Sequence, residues 1–337
     1  MNRRLLLAGF GGLLTLSALP TLAQDKTYTL IFKHTQGEMA KYKLVMDMTI
    51  QIKDKDGKAI SLPGMDEAGM KMKMGGTLVQ KTKAVKADGG ATLSGQMREG
   101  TMEVMGQSNS MPEGIESITE VDKLGKVLKM ETSKDGEPMN NPFMGMMQMD
   151  KMTSMGVGIV YPDKPVKVGD KWEQTLPGMV KGSTLKVLSK VLGIEQIDGK
   201  EALQIKQYIV MPLDMGMDKD GQPAKGKGNG MSMTGSMTID ALYSISTADA
   251  RVLKTVNKIK GTMRMNLPKE AAQQSPFGST MNMGITGVMT QSLLSVGKVE
   301  DDKDAKPAVR ACGFSHRAGC GRRSSPAPAA RRPPIPA

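Results

Sequence analysis

Met231-Ser232-Met233-Thr234-Gly235-Ser236-Met237-Thr238-Ile239-Asp240-Ala241-Leu242-Tyr243-Ser244-Ile245-Ser246 is the stretch that decides the fold class. Met231, Met233, Met237, Ile239, Ala241, Tyr243 and Ile245 fall on alternate positions, with Gly235 in phase. Ser, Thr and Asp fill most of the positions between them. A period of two marks a strand with one buried and one wet face, whereas a helix repeats near 3.6.

The same alternation recurs along the chain. Tyr42, Leu44, Met46, Met48, Ile50 and Ile52 form one face, with Lys41, Lys43, Asp47, Gln51 and Lys53 between them. Leu203, Ile205, Ile209 and Met211 form another, and Leu253, Ile259, Met263, Met265 and Leu267 a further one. Turn signals separate these runs at Asp56-Gly57, Asp88-Gly89, Asp135-Gly136, Asp198-Gly199 and Asp220-Gly221. The runs at 54–57 and 218–221 also faintly resemble calcium loops, but they lack the further acidic ligands and the closing Glu, so hairpin turns are expected there. Helix signals are few: a Met-rich segment from Phe143 to Met155 after Asn141-Pro142, and a turn or two from Pro268 to Gln274.

An offset of 161 residues aligns Gly69-Met70 with Gly230-Met231, Met72 with Met233 and Thr77 with Thr238. It also aligns Ala87-Asp88 with Ala248-Asp249, and Gly100-Thr101-Met102 with Gly261-Thr262-Met263. The inward faces keep phase under that offset, which duplicated sheets require, because a one-residue slip turns every side chain over. The expected architecture is therefore mainly β: two similar curved antiparallel sheets with a possible internal duplication, half-barrel or barrel-like. Residues 24–156 and 157–300 are the expected halves, with few short helices and a disordered C-terminal tail.

The two ends differ from the body. Arg3-Arg4, an apolar run from Leu5 to Leu19, and Pro20 before Thr21-Leu22-Ala23 read as a signal peptide over residues 1–23, cleaved after Ala23. The run is short for a membrane span, so the mature chain is expected to be periplasmic or secreted and not an integral membrane protein. After Pro307 there is no Lys, Asp or Glu, and Arg, Pro and Ala dominate. Such a stretch buries too little apolar surface to offset its ordering entropy, so residues 301–337 are expected to be disordered. The abrupt switch from Lys to Arg suits a frame-shifted read-through. All 34 acidic residues and 37 of the 46 basic ones lie between residues 24 and 304, so the formal net charge of +12 collapses to about +3 in the body. With a single Trp and no basic patch, nucleic-acid binding is not expected.

Tyr161-Pro162-Asp163-Lys164-Pro165-Val166-Lys167-Val168-Gly169-Asp170-Lys171-Trp172, preceded by Val121-Asp122 and Gly125-Lys126-Val127-Leu128, resembles a P-x-K-P-V-x-V-G-D-x-W segment of uncharacterised exported bacterial mainly-β proteins. The resemblance implies a mainly-β envelope protein and no catalytic residues to carry over. Physically, the two prolines hold an extended approach, Gly169-Asp170 turns, and Trp172 plugs the core at the start of the next strand.

The chain holds 2 His, 2 Cys and 32 Met. Cys312, Cys320 and His316 lie in the tail, leaving His34 alone in the body, expected at the surface. No nucleophile–base pair or metal cluster stands out, so no enzyme activity, cofactor or metal site is expected. Met-x-Met pairs are the remaining feature. They suit core filling, a pliable cavity for an apolar ligand, or soft coordination of Cu(I). The candidate ligand-binding residues are Met46, Met48, Met231, Met233, Met263 and Met265. The function expected is an exported envelope protein holding a lipid or apolar small molecule on Met-lined concave sheets. The alternatives are a structural or interaction protein of the envelope, and Cu(I) binding.

Overall fold

In a computed structural model, the described residues are 26–54, 57–60, 69–135, 137–138, 159–177, 184–217, 223–224, 232–268, 272–273 and 279–298. The signal segment, the Met-rich stretch 143–155, the 220–221 turn, Met231 and the tail with both cysteines lie outside them.

Alternation produces strands as expected. They are β1 (Glu38–Lys53), β2 (Met70–Val85), β3 (Ala91–Val104), β4 (Gln107–Ser110), β5 (Ile115–Val121), β6 (Val127–Lys134) and β7 (Glu137–Pro138). In the second part of the chain they are β8 (Lys171–Pro177), β9 (Thr184–Ile197), β10 (Lys200–Met217), β11 (Pro223–Ala224), β12 (Ser232–Ser246), β13 (Val252–Asn266) and β14 (Thr280–Lys298). Helix is nearly absent among the described residues: it is confined to residues 272–273, where the Ala272 amide donates to the Pro268 carbonyl over 2.8 Å.

The two expected sheets are one. All strands join a single antiparallel sheet in the order β7-β6-β5-β3-β2-β1-β14-β13-β12-β10-β9-β8, with β4 beside β3 and β11 beside β10. The reason is the seam between β1 and β14, which pair from Glu38↔Lys298 to Lys53↔Asn282. This long-range pairing fuses the two runs of hairpins. Read in sheet order, two up-and-down runs, β1–β7 and β8–β14, share the β1–β14 seam, and β7 and β8 are the edges.

A strap forces the sheet to curl. The Tyr161 amide donates to the Leu124 carbonyl at the β5–β6 turn, and the Gly169 amide donates to the Val191 carbonyl on β9. Eight residues span at most ~27 Å when extended. A flat sheet would separate β5 from β9 by eight spacings, or ~38 Å. Only a curled sheet closes that gap, and the strap lies on its inner face. A second extended segment runs beside it: Tyr28 and Val166 exchange backbone hydrogen bonds of 2.8 and 2.9 Å.

The core fills the space between strap and sheet. Tyr28, Leu30, Ile159, Tyr161 and Val166 pack on Val191, Leu203, Ile205, Tyr243 and Ile245. Tyr161 is fully buried and its hydroxyl donates to the Ala250 carbonyl at 2.6 Å. Asp170 accepts from the Lys167 amide through its carboxylate at 2.9 Å, closing the turn before β8. Trp172 is half-buried against the core.

Asp-Gly turns follow their chemistry. Asp198 and Gly199 take φ of +49° and +75° between β9 and β10, the mirror-image turn that matches strand twist. The Asp54 carboxylate accepts from the Lys58 amide at 2.9 Å, and the Asp54 carbonyl accepts from the Gly57 amide at 3.1 Å; residues 55 and 56 of the calcium-like run lie outside the described residues.

Candidate functional site

Strand register places the methionines in rungs across the inner face. Met102, Met74, Met46 and Met289 lie side by side on β3, β2, β1 and β14. The next rungs outward carry Met72 and Met48, then Met70, Ile50, Ile285, Gly261, Met237 and Met211. Beyond them Ile52, Met283 and Met263 align, and then Met281, Met265 and Met233. All these rungs lie towards the end of the strands away from the strap, because Tyr42 and Leu44, nearer the strap, precede Met46 on β1.

Glycines interrupt the methionine face where strands approach closely. Gly235, at φ +151°, faces Met263, and a Cβ there would collide with the Thr262 carbonyl. A Cβ on Gly287 would meet the Asp47 carbonyl at 2.9 Å and Met48 Cβ at 3.3 Å. At both positions the neighbouring strand approaches too closely for a side chain, so the face is locally free of one.

On β1, β13 and β14 burial falls along the rungs, from Met46, Met48, Ile259 and Ile285 to the half-buried Ile52, Met263, Met265, Met281 and Met283. Met46, Met48, Met237 and Met211 are buried, at 9, 7, 5 and 0 % exposure. Met233 is also buried, whereas Met70, Met72, Met74, Met263, Met265, Met281 and Met283 are half-buried and Met102 is exposed. Of the residues expected at the site, Met46, Met48, Met233, Met263 and Met265 share one face. Met231 lies outside the described residues.

At the strap end the face changes character. A cavity of about 90 Å³ lies between Phe32 and His34 of the N-terminal extended segment, Ile159 just before the strap, and the sheet residues Tyr42, Leu78 and Gln291. The expectation of a surface His34 is corrected here. Its ring stacks on Phe32 with centroids 4.6 Å apart, and Nε2 is buried without a partner among the described residues. Burial, with the nearby Arg251 charge, lowers its pKa to about 4, so the imidazole is neutral at pH 7. Gln291, at 1 % exposure, has no partner for either amide atom among the described residues. Burial pushes the Tyr42 hydroxyl up to about 12.

Sequence reasoning passed over this end. Gln291 continues the Met281, Met283, Ile285, Gly287, Met289 phase, and a polar residue in an apolar stripe was the available signal. Thr255 and Asn257 likewise interrupt the face between Leu253 and Ile259, and both are buried.

Among the described residues no group of three or more His, Cys, Asp or Glu is placed to hold a metal ion. No helix there is long and apolar enough to cross a membrane. No family model matches the chain. No curated protein matches it. Among solved structures, the sheet is similar to a chain described under "Lipid-protein interactions in lipovitellin", with 5 % identity and a TM-score of 0.40 over 78 % of this chain. The match spans 26 % of that chain, about a quarter of its length.

Proposed function

We propose that the protein is exported to the periplasm or beyond, and there binds a lipid or other apolar small molecule on the inner face of its curled sheet. It is read as a binding module of the envelope with no catalytic step. The observation that carries this reading is a half-buried apolar patch. An apolar face continues across β3, β2, β1, β14, β13 and β12, yet on β13 and β14 its outer methionines, Met263, Met265, Met281 and Met283, stay half-buried. Covering that surface with an apolar ligand is favourable by about 25 cal/mol for each Å² removed from water, and methionine adapts to ligands of varied shape. The sequence offset of 161 carries the β2–β3 hairpin onto β12–β13, and supports reading the face as one doubled unit.

Dye competition tests this. The full mature chain should give saturable fluorescence with N-phenyl-1-naphthylamine, and phospholipid vesicles should displace the dye. Absence of saturable dye binding counts against the reading and favours a structural or interaction role in the envelope.

A second reading rests on one register. Met263↔Met283 and Met265↔Met281 set four thioethers in a two-by-two patch, with Met233 beside Met265. Soft sulfur ligands so grouped suit Cu(I). Titration with Cu(I) against bicinchoninate separates the two readings.

A further inference from the structure

The cavity under the strap differs from the methionine rungs in one respect: polar atoms are buried in it. Its wall is mostly apolar, with Phe32, Leu78, Leu93 and Ile159 among the lining. Gln291 brings an amide oxygen and an amide nitrogen, and His34 a ring nitrogen, all buried and without partners among the described residues. A buried polar atom left unpaired is costly, so a complementary group in the cavity is strongly favoured. A carbonyl and an NH₂ on the same side chain ask for a donor and an acceptor together.

We propose that this cavity receives the uncharged, hydrogen-bonding head of an amphiphile, such as the hydroxyl of a long-chain alcohol or a monoacylglycerol. Two observations exclude a charged head. No Asp, Glu, Lys or Arg lines the cavity. Arg251, the cation closest in influence to His34, is already held by two carboxylates, Glu38 at 2.6 Å and Asp249 at 3.1 Å. An anionic head would therefore be buried without a counter-charge, and a cationic one would meet no carboxylate.

Size sets the rest. A cavity of about 150 Å³ holds benzene. At about 90 Å³ this one takes a head and the carbons next to it. The remaining chain leaves over Ser117, Thr119, Val127 and Met130, which are half-buried on β5 and β6. The site is distinct from the methionine rungs, so it stands or falls separately from the face proposed above.

Isothermal titration of the full mature chain with 1-decanol and with decanoate at pH 8 tests the proposal. Decanol should bind at least tenfold more tightly than decanoate. Gln291→Leu, which keeps the size and removes the amide, should weaken decanol at least tenfold while leaving N-phenyl-1-naphthylamine binding unchanged. Met130→Trp, at the half-buried mouth, should also weaken decanol and serves if Gln291→Leu does not fold. Equal affinity for the two probes would overturn the proposal. So would decanol binding that ignores both substitutions, or no saturable decanol binding, which would mean that the cavity holds water only.

Discussion

Arg251 and Glu38 lie 213 positions apart and meet at 2.6 Å between Nη2 and Oε1, with side chains 6 and 20 % exposed. Arg251 directly precedes β13 and Glu38 opens β1, so the pair reaches across β14 and ties the seam of the sheet. Its Nε also holds Asp249 at 3.1 Å. Removing one member of a buried pair strands the other charge and costs ~3–5 kcal/mol. Arg251→Met should fall near the lower end, because Glu38 keeps some exposure. The double variant Arg251→Met with Glu38→Leu should recover part of the loss. Urea unfolding midpoints measure both, and a single variant as stable as the parent contradicts this role for the pair.

Met233 tests what the outer rungs are. It is 8 % exposed and packs in the core beside Met265. Met233→Ala should cost ~2–5 kcal/mol through lost burial and a cavity. Met233→Leu should cost under ~1.5 kcal/mol, because volume is nearly conserved. Chemical unfolding of the two variants measures this. A Met233→Ala protein as stable as the parent rules out core packing there. Loss of Cu(I) binding in a fully stable Met233→Leu protein supports the copper reading instead.

His34 gives the stability a pH dependence. Burial and Arg251 lower its pKa from 6.5 to about 4 in the folded chain, so the unfolded chain binds the extra proton first. The stabilisation of the neutral form is present above about pH 6.5 and is lost as pH falls towards 4. Arg251, with Glu38 and Asp249 around it, keeps its charge through this range and sustains the effect. The parent's melting temperature should drop over that window more than that of His34→Phe. Parallel slopes for the two proteins show that His34 is not buried as described.

Local pattern carried the strand faces, and long-range pairing carried what the pattern missed. The alternation of Met231–Ser246 and Tyr42–Ile52 reports which side chains share a face, because that depends only on the pleat. Whether β1 pairs with β14 is a contact between residues such as Glu38 and Lys298, and no periodicity encodes it. Hence two sheets were expected where one forms. His34 looks exposed in the sequence because its burial comes from stacking on Phe32 and from lying near Arg251, which is 217 positions away, a tertiary event. Gln291 was more legible, since it breaks an apolar stripe in phase with Met289. Met46, Met48, Met233, Met263 and Met265 were legible as one face, but their graded burial depends on curvature and on the strap covering only one end.

The central claim is that the inner face carries an apolar ligand. The most direct measurement is native mass spectrometry of the full-length protein recovered from its own host's envelope fraction without detergent, followed by lipid extraction of the same sample. The account predicts a bound species of defined mass that extracts as an apolar or neutral amphipathic molecule. A clean mass for the ligand-free chain, with no lipid recovered, would contradict it.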